Sequence, residues 1–73
     1  MIVDSRGRRC PLPVIDLAKA IREVADGEVV TVLADDPAAA TDIPAWCRMR
    51  GHEYLGTDAA DGDRQYRVRK LSG

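Results

Sequence analysis

Cys10 is the residue in this sequence best placed for chemistry. It follows Arg6, Arg8 and Arg9 and directly precedes Pro11, in the stretch DSRGRRCPLP. Proline suits the first helical position, because its missing N–H would be unsatisfied there anyway. Pro13 falls in the same first turn, where no intrahelical donor is lost. A helix starting at Pro11 puts Cys10 at or beside the N-cap. Cysteine is not a preferred cap; Ser, Thr, Asp or Asn would be. Reactivity explains the choice better. The thiolate is the nucleophile, and a helix N-terminus and nearby arginines both favour it. The prolines stiffen the backbone around the sulfur, and a loop containing Gly7 leaves it accessible. The competing reading is a small buried hydrophobe, the common state of a free cysteine.

No partner for thiol–imidazole catalysis is evident. His52 is the only histidine, and nothing local orients it toward a cysteine. It reads more simply as a surface or strand-edge residue. Cys47 shares a predicted helical face with Ile43 and reads as a buried core thiol. The sharper alternative makes it a resolving cysteine for Cys10. Asp35 and Asp36 form an acidic pair, but Asp-Pro is good strand-to-helix punctuation. A structural or docking role suits them better than acid–base or metal chemistry.

The elements that must position these residues follow from the pattern. Met1 to Val3 predict a short first strand. Val14, Leu17, Ala18, Ile21 and Val24 or Ala25 recur at helical spacing, opposite Asp16, Lys19, Arg22 and Glu23. Gly27 reads as the stop of that helix. Residues 28–34 are rich in β-branched side chains and predict a central strand buried on both faces, or nearly so. Residues 38–50 predict a second helix, capped by Thr41 or Asp42, with Pro44 tolerable only in its first turn. Trp46 reads as core, with a docking anchor as the alternative. Residues 53–57 predict a strand, residues 58–63 a turn centred on Asp61-Gly62, and residues 64–71 a last strand with Tyr66 and Val68 on one face. The expected fold is an α+β two-layer sandwich, βαβαββ, with two helices on one face of a four-stranded mixed sheet.

Composition narrows the function. A chain of 73 residues is expected to form one domain, residues 1–73. Its net charge of −1 argues against a dedicated nucleic-acid binder. The bases crowd the two ends, with Arg64, Arg67, Arg69 and Lys70 near the C-terminus and most acids between. That pattern suits a protein partner or a small anion. Arg64 to Lys70 read as a solvated strand face, or functionally as a docking patch. Two cysteines far apart make neither a disulfide scaffold nor a CxxC pair nor a zinc site. No apolar run approaches a membrane span, and no signal-peptide core is present, so a soluble cytoplasmic protein is expected.

Two blocks carry a family resemblance. The first is Asp4-x-x-Gly7-x-x-Cys10-Pro11-Leu12-Pro13. The second is Ala34-Asp35-Asp36-Pro37-Ala38 followed by Asp42-Ile43-Pro44-Ala45-Trp46-Cys47. Together they resemble the TusA/SirA-like sulfur-carrier family with its CPxP signature. Lys19 and Arg22 also fall where that family has basic residues. Two positions depart from the pattern of its best-known TusA members: Leu12 replaces the glutamate between the prolines, although leucine is common in the wider family, and Arg8 stands where an apolar residue usually precedes the arginine.

The resemblance implies the βαβαββ sandwich and a persulfide on Cys10, supported by Gly7, Pro11 and Pro13. Arg6, Arg8, Arg9, Lys19 and Arg22 would stabilise the thiolate or dock a partner. The donor would be a cysteine desulfurase or another sulfurtransferase, and the acceptor a downstream sulfur-relay protein. Destinations in the family include tRNA thiolation, sulfur oxidation and molybdenum-cofactor assembly. No cofactor, metal, direct nucleic-acid contact or membrane contact is expected, and a monomer is. The alternatives are an RNA-binding or regulatory module, and a thiol–disulfide protein using Cys10 and Cys47.

Overall fold

The β-branched run after Gly27 forms β2 (Val29–Ala34), the strand around which the sheet is assembled. In the computed structural model, which describes residues 1–9, 11–60 and 63–71, five more elements surround it. They are β1 (Ile2–Asp4), α1 (Leu12–Ile21), α2 (Ala39–Arg50), β3 (Glu53–Ala60) and β4 (Asp63–Arg69). The strand order is β1-β2-β4-β3. β1 pairs parallel to β2, with Ile2 opposite Thr31 and Asp4 opposite Leu33. β4 lies antiparallel between β2 and β3, so β3 runs parallel to β2 with β4 inserted in the gap. α1 covers β1 and β2, α2 covers β4 and β3, and the helices touch each other. This is the expected α+β sandwich, βαβαββ.

The core lies between the helices and one sheet face. Leu17, Val30, Val32, Ile43, Cys47, Tyr66 and Val68 are fully buried there. β2 alternates half-buried and buried residues. The expectation of burial on both faces is therefore corrected: the helices cover one face only, and Thr31 and Leu33 turn to the other. That outer face carries cross-strand ion pairs, Arg69 with Glu53 at 3.0 Å and Arg67 with Asp58. The C-terminal arginines at 67 and 69 are thus spoken for by their own hairpin.

The helix boundaries shift for local reasons. α1 ends at Ile21, not near Ala25, and Gly27 does not stop it. The chain leaves the helix through a turn in which Lys70 Nζ donates to the Val24 carbonyl at 2.9 Å, while Val24 still packs into the core and Ala25 is exposed. α2 starts at Ala39, before Thr41 and Asp42, so neither caps it. Asp36 does that work: its carboxylate takes the Ala38 N–H at 2.9 Å and its carbonyl takes the Ala39 N–H at 3.0 Å. Pro44 accordingly sits inside the helix rather than in its first turn. Gly51, at φ +77°, closes α2. β3 runs on to Ala60 instead of ending at Thr57, and a bulge at Leu55 shifts its register against β4 by one residue. The expected Asp61-Gly62 turn lies outside the described residues, as does Cys10.

Leu17 is the side chain on which α1 seats. Truncation to Ala leaves a cavity between α1 and β2, and urea unfolding is expected to show a loss of about 3 kcal/mol. That is a large share of the stability of so short a chain.

Candidate functional site

Parallel pairing of β1 and β2 brings the loops that follow them to one end of the sheet. The first loop, described over residues 5–9 and at Pro11, leads into α1; the second, residues 35–38, leads into α2. Such an end, outside the carboxyl ends of parallel strands, is a common place for a site. The first loop carries Gly7, the three arginines and Pro11.

Three carboxylates pin that loop. Asp4, at the end of β1, holds Arg6 in a fork, with Nε to Oδ1 at 2.9 Å and Nη2 to Oδ2 at 2.7 Å. The Arg6 N–H also donates to Asp4 Oδ1 at 3.1 Å. The Arg6 side chain first and its backbone N–H second hold the Asp4 carboxyl down to about 2. Its folded value lies below its unfolded one. The stabilisation it contributes is therefore complete above the ordinary carboxylate range and is lost as pH falls toward 2.

Asp35, after β2, accepts the Gly7 N–H on both oxygens, at 3.0 and 2.9 Å. Gly7 has φ +79°, a conformation strained for residues with a Cβ. Glycine therefore lets the chain turn there and present its amide to the carboxylate.

Asp16, on α1, is the third pin. Its Oδ2 accepts Ser5 Oγ at 2.7 Å and pairs with Arg8 Nε at 2.9 Å. Ser5 is fully buried, and its own N–H extends the parallel ladder to the Leu33 carbonyl at 2.7 Å. Ser5 and Asp16 are the positioning residues that sequence reading passes over. Their only linear signal is an acid early in a helix that follows an arginine-rich loop.

Pro11 is the N-cap of α1, and Pro13 is buried in the first turn. The helix thus begins one residue later than expected. Arg9 precedes it, exposed, with its carbonyl accepting the Leu12 N–H at 2.8 Å. Lys19 is also exposed and lines a cleft with Asp4, Arg8, Asp16 and Glu23 beside β1. Arg22 caps the far end of α1, about 15 Å of helix from Leu12 at 1.5 Å per residue. The structure therefore groups Arg6, Gly7, Arg8, Arg9, Pro11, Pro13 and Asp35, and sets Arg22 apart.

On the other side of Pro11 an apolar groove of about 300 Å³ runs between the helices, lined by Val14, Ala45, Trp46 and Met49, with Asp42 at its edge. Trp46 is mostly core, and its ring stacks on His52 at 5.3 Å. His52 Nδ1 accepts the Leu71 N–H at 3.2 Å, which orients it within the strand edge. Among the described residues no cluster of His, Cys, Asp and Glu is placed to hold a metal ion, and no helix is long and apolar enough to cross a membrane.

Cys47 is fully buried, and that burial pushes its thiol up to about 11. Near neutral pH Cys47 therefore stays in the unreactive thiol form. Iodoacetamide is expected to label Cys47 only as fast as the whole fold opens, measured by peptide mass with and without denaturant. Asp35→Ala should cost about 1 kcal/mol in thermal or urea unfolding and speed amide exchange at Gly7, with Asp35→Asn intermediate.

The comparisons with known proteins agree with this geometry. The family model described as Sulfurtransferase TusA matches residues 1–70. A SirA-like protein from Desulfitobacterium hafniense, of known crystal structure, superposes with a TM-score of 0.78. It shares 32% sequence identity, and the match covers 99% of this chain and 100% of that one. The chain belongs to the TusA family of sulfurtransferases, with the SirA-like fold that its two motif blocks imply.

Proposed function

We propose that this chain is a cytoplasmic, monomeric persulfide carrier whose working atom is the Cys10 sulfur. The observation that carries the reading is the contrast between its two thiols. Cys47 is sealed in the core with its thiol pushed up to about 11. Cys10 directly follows a loop held by three carboxylates and directly precedes the cap of α1. Chemistry at sulfur therefore falls to Cys10.

The transfer needs no cofactor. The Cys10 thiolate attacks the outer sulfur of a donor persulfide, R–S–S–H. A new S–S bond forms to Cys10, the donor's S–S bond breaks, and the donor leaves as R–S⁻. The outer sulfur keeps its hydrogen, so Cys10 ends as Cys–S–S–H. The same step run onto an acceptor thiolate unloads it. A cysteine desulfurase or another sulfurtransferase suits the donor role. A downstream relay protein suits the acceptor role, of the kind that serves tRNA thiolation, sulfur oxidation or molybdenum-cofactor assembly. Chemistry at so exposed a loop is relay chemistry between proteins rather than turnover in an enclosed pocket.

The alternatives find less support. A Cys10–Cys47 redox pair requires a buried thiol to ionise. An RNA surface that stacks bases requires exposed rings, yet Trp46 and Tyr66 are buried, and the strand-face cations Arg67 and Arg69 are paired.

Intact mass under non-reducing conditions tests the proposal, after incubation with a cysteine desulfurase and cysteine. Wild type and Cys47→Ser are expected to gain one sulfur atom, and Cys10→Ser none. Loss of two hydrogens from wild type instead would support the redox pair.

A further inference from the structure

The three arginines before Cys10 look alike in sequence, but the fold does not treat them alike. Arg6 is taken by Asp4 and Arg8 by Asp16. Arg9 is exposed, and among the described residues its guanidinium meets no carboxylate or carbonyl. We propose that the three divide the work: Arg6 and Arg8 are clamps that hold the loop, and Arg9 is the charge presented to the Cys10 sulfur anion and to the sulfur donor. Arg9 is thereby a specificity-determining residue for sulfur exchange, and Asp16 a positioning residue that acts through Arg8. The inference rests on the carrier reading above for its consequence, though not for its test.

A tally of the neighbouring charges supports the division. β1 supplies Asp4, already forked by Arg6. The connection after β2 supplies Asp35, taken by the Gly7 amide, and Asp36, which caps α2. α1 supplies Asp16, taken by Arg8 and Ser5, and Lys19, seven residues beyond Leu12 and so about 10 Å along the helix. α2 supplies Asp42 at the groove edge.

An ion pair closed on itself adds little net field at a neighbouring atom. Arg6 and Arg8 are cancelled in this way. Arg9 adjoins Cys10 in the chain and keeps its full charge. During transfer the negative charge moves from the attacking sulfur to the leaving one, and a single exposed guanidinium with no carboxylate partner among the described residues can favour both. The same cation favours a partner whose reactive segment is flanked by carboxylate.

The test is the pH dependence of Cys10 alkylation by iodoacetamide, read by peptide mass so that Cys47 does not interfere. It is run on wild type, Arg9→Gln, Arg9→Lys, Arg8→Gln and Arg6→Gln, with thermal midpoints recorded beside it. Arg9→Gln is expected to raise the alkylation midpoint by about one unit, and Arg9→Lys to recover most of it. Arg8→Gln and Arg6→Gln are expected to lower the thermal midpoint and to move the titration less than Arg9→Gln does. Sulfur loading at neutral pH should slow about threefold in Arg9→Gln, because a less acidic thiol is scarcer as thiolate but more nucleophilic. An unmoved midpoint in Arg9→Gln, or an equal or larger shift in Arg8→Gln or Arg6→Gln, would overturn the assignment. The two readings fail separately. Wild type that takes up no sulfur removes the carrier role, while the alkylation series still decides Arg9.

Discussion

The parallel register of β1 on β2 is the constraint on which the rest of this structure depends. Asp4 lies opposite Leu33, and the Ser5 N–H carries the ladder one step further to the Leu33 carbonyl. The chain therefore leaves both strands at the same end and at nearly the same level. Only then can Asp35, after β2, reach the Gly7 amide, after β1. A one-residue slip would also turn Val3 out of the core and break the alternation of β2. The core and the site consequently share one register.

The loop in front of Cys10 shows how a basic sequence becomes a structured one. Three arginines within four residues would repel one another and leave a free loop mobile. Asp4 and Asp16 neutralise two of them, and Asp35 fixes the turn between them through a backbone amide. None of these contacts is deeply buried except at Ser5, so each is worth little alone. Together they restrain the loop from β1, from α1 and from the β2–α2 connection. Rigidity at that point matters for a carrier, because each ordered residue lowers the entropy lost when a partner docks.

Much of the fold is legible in the sequence. The order of elements, the helical face from Leu17 to Ile21, the Asp-Pro boundary after β2 and the Tyr66–Val68 alternation are all visible. The misjudged parts share a cause. β2 looks like a doubly buried strand because it is apolar at every position but Thr31, yet one face has no helices to cover it. α2 starts earlier than its polar residues suggest, because Asp36 caps from outside the helix. α1 stops early, and Lys70, remote in sequence, takes the Val24 carbonyl that the ended helix leaves without a partner. Local propensity cannot register a hydrogen bond from 46 residues away.

For the site, the sequence by itself determined which thiol adjoins the cations and the two prolines, and which family its two motif blocks belong to. These are properties of residue type and spacing along the chain. Only the tertiary structure decided how the charges are spent. Arg8 meets Asp16, Arg6 meets Asp4, and Gly7 reaches an acid 28 residues away. Arg9 is left with no such partner among the described residues. Ion pairs and hydrogen bonds depend on distances of a few ångströms between groups that the chain alone does not bring together. Folding sets those distances, and with them which of three like arginines remains available.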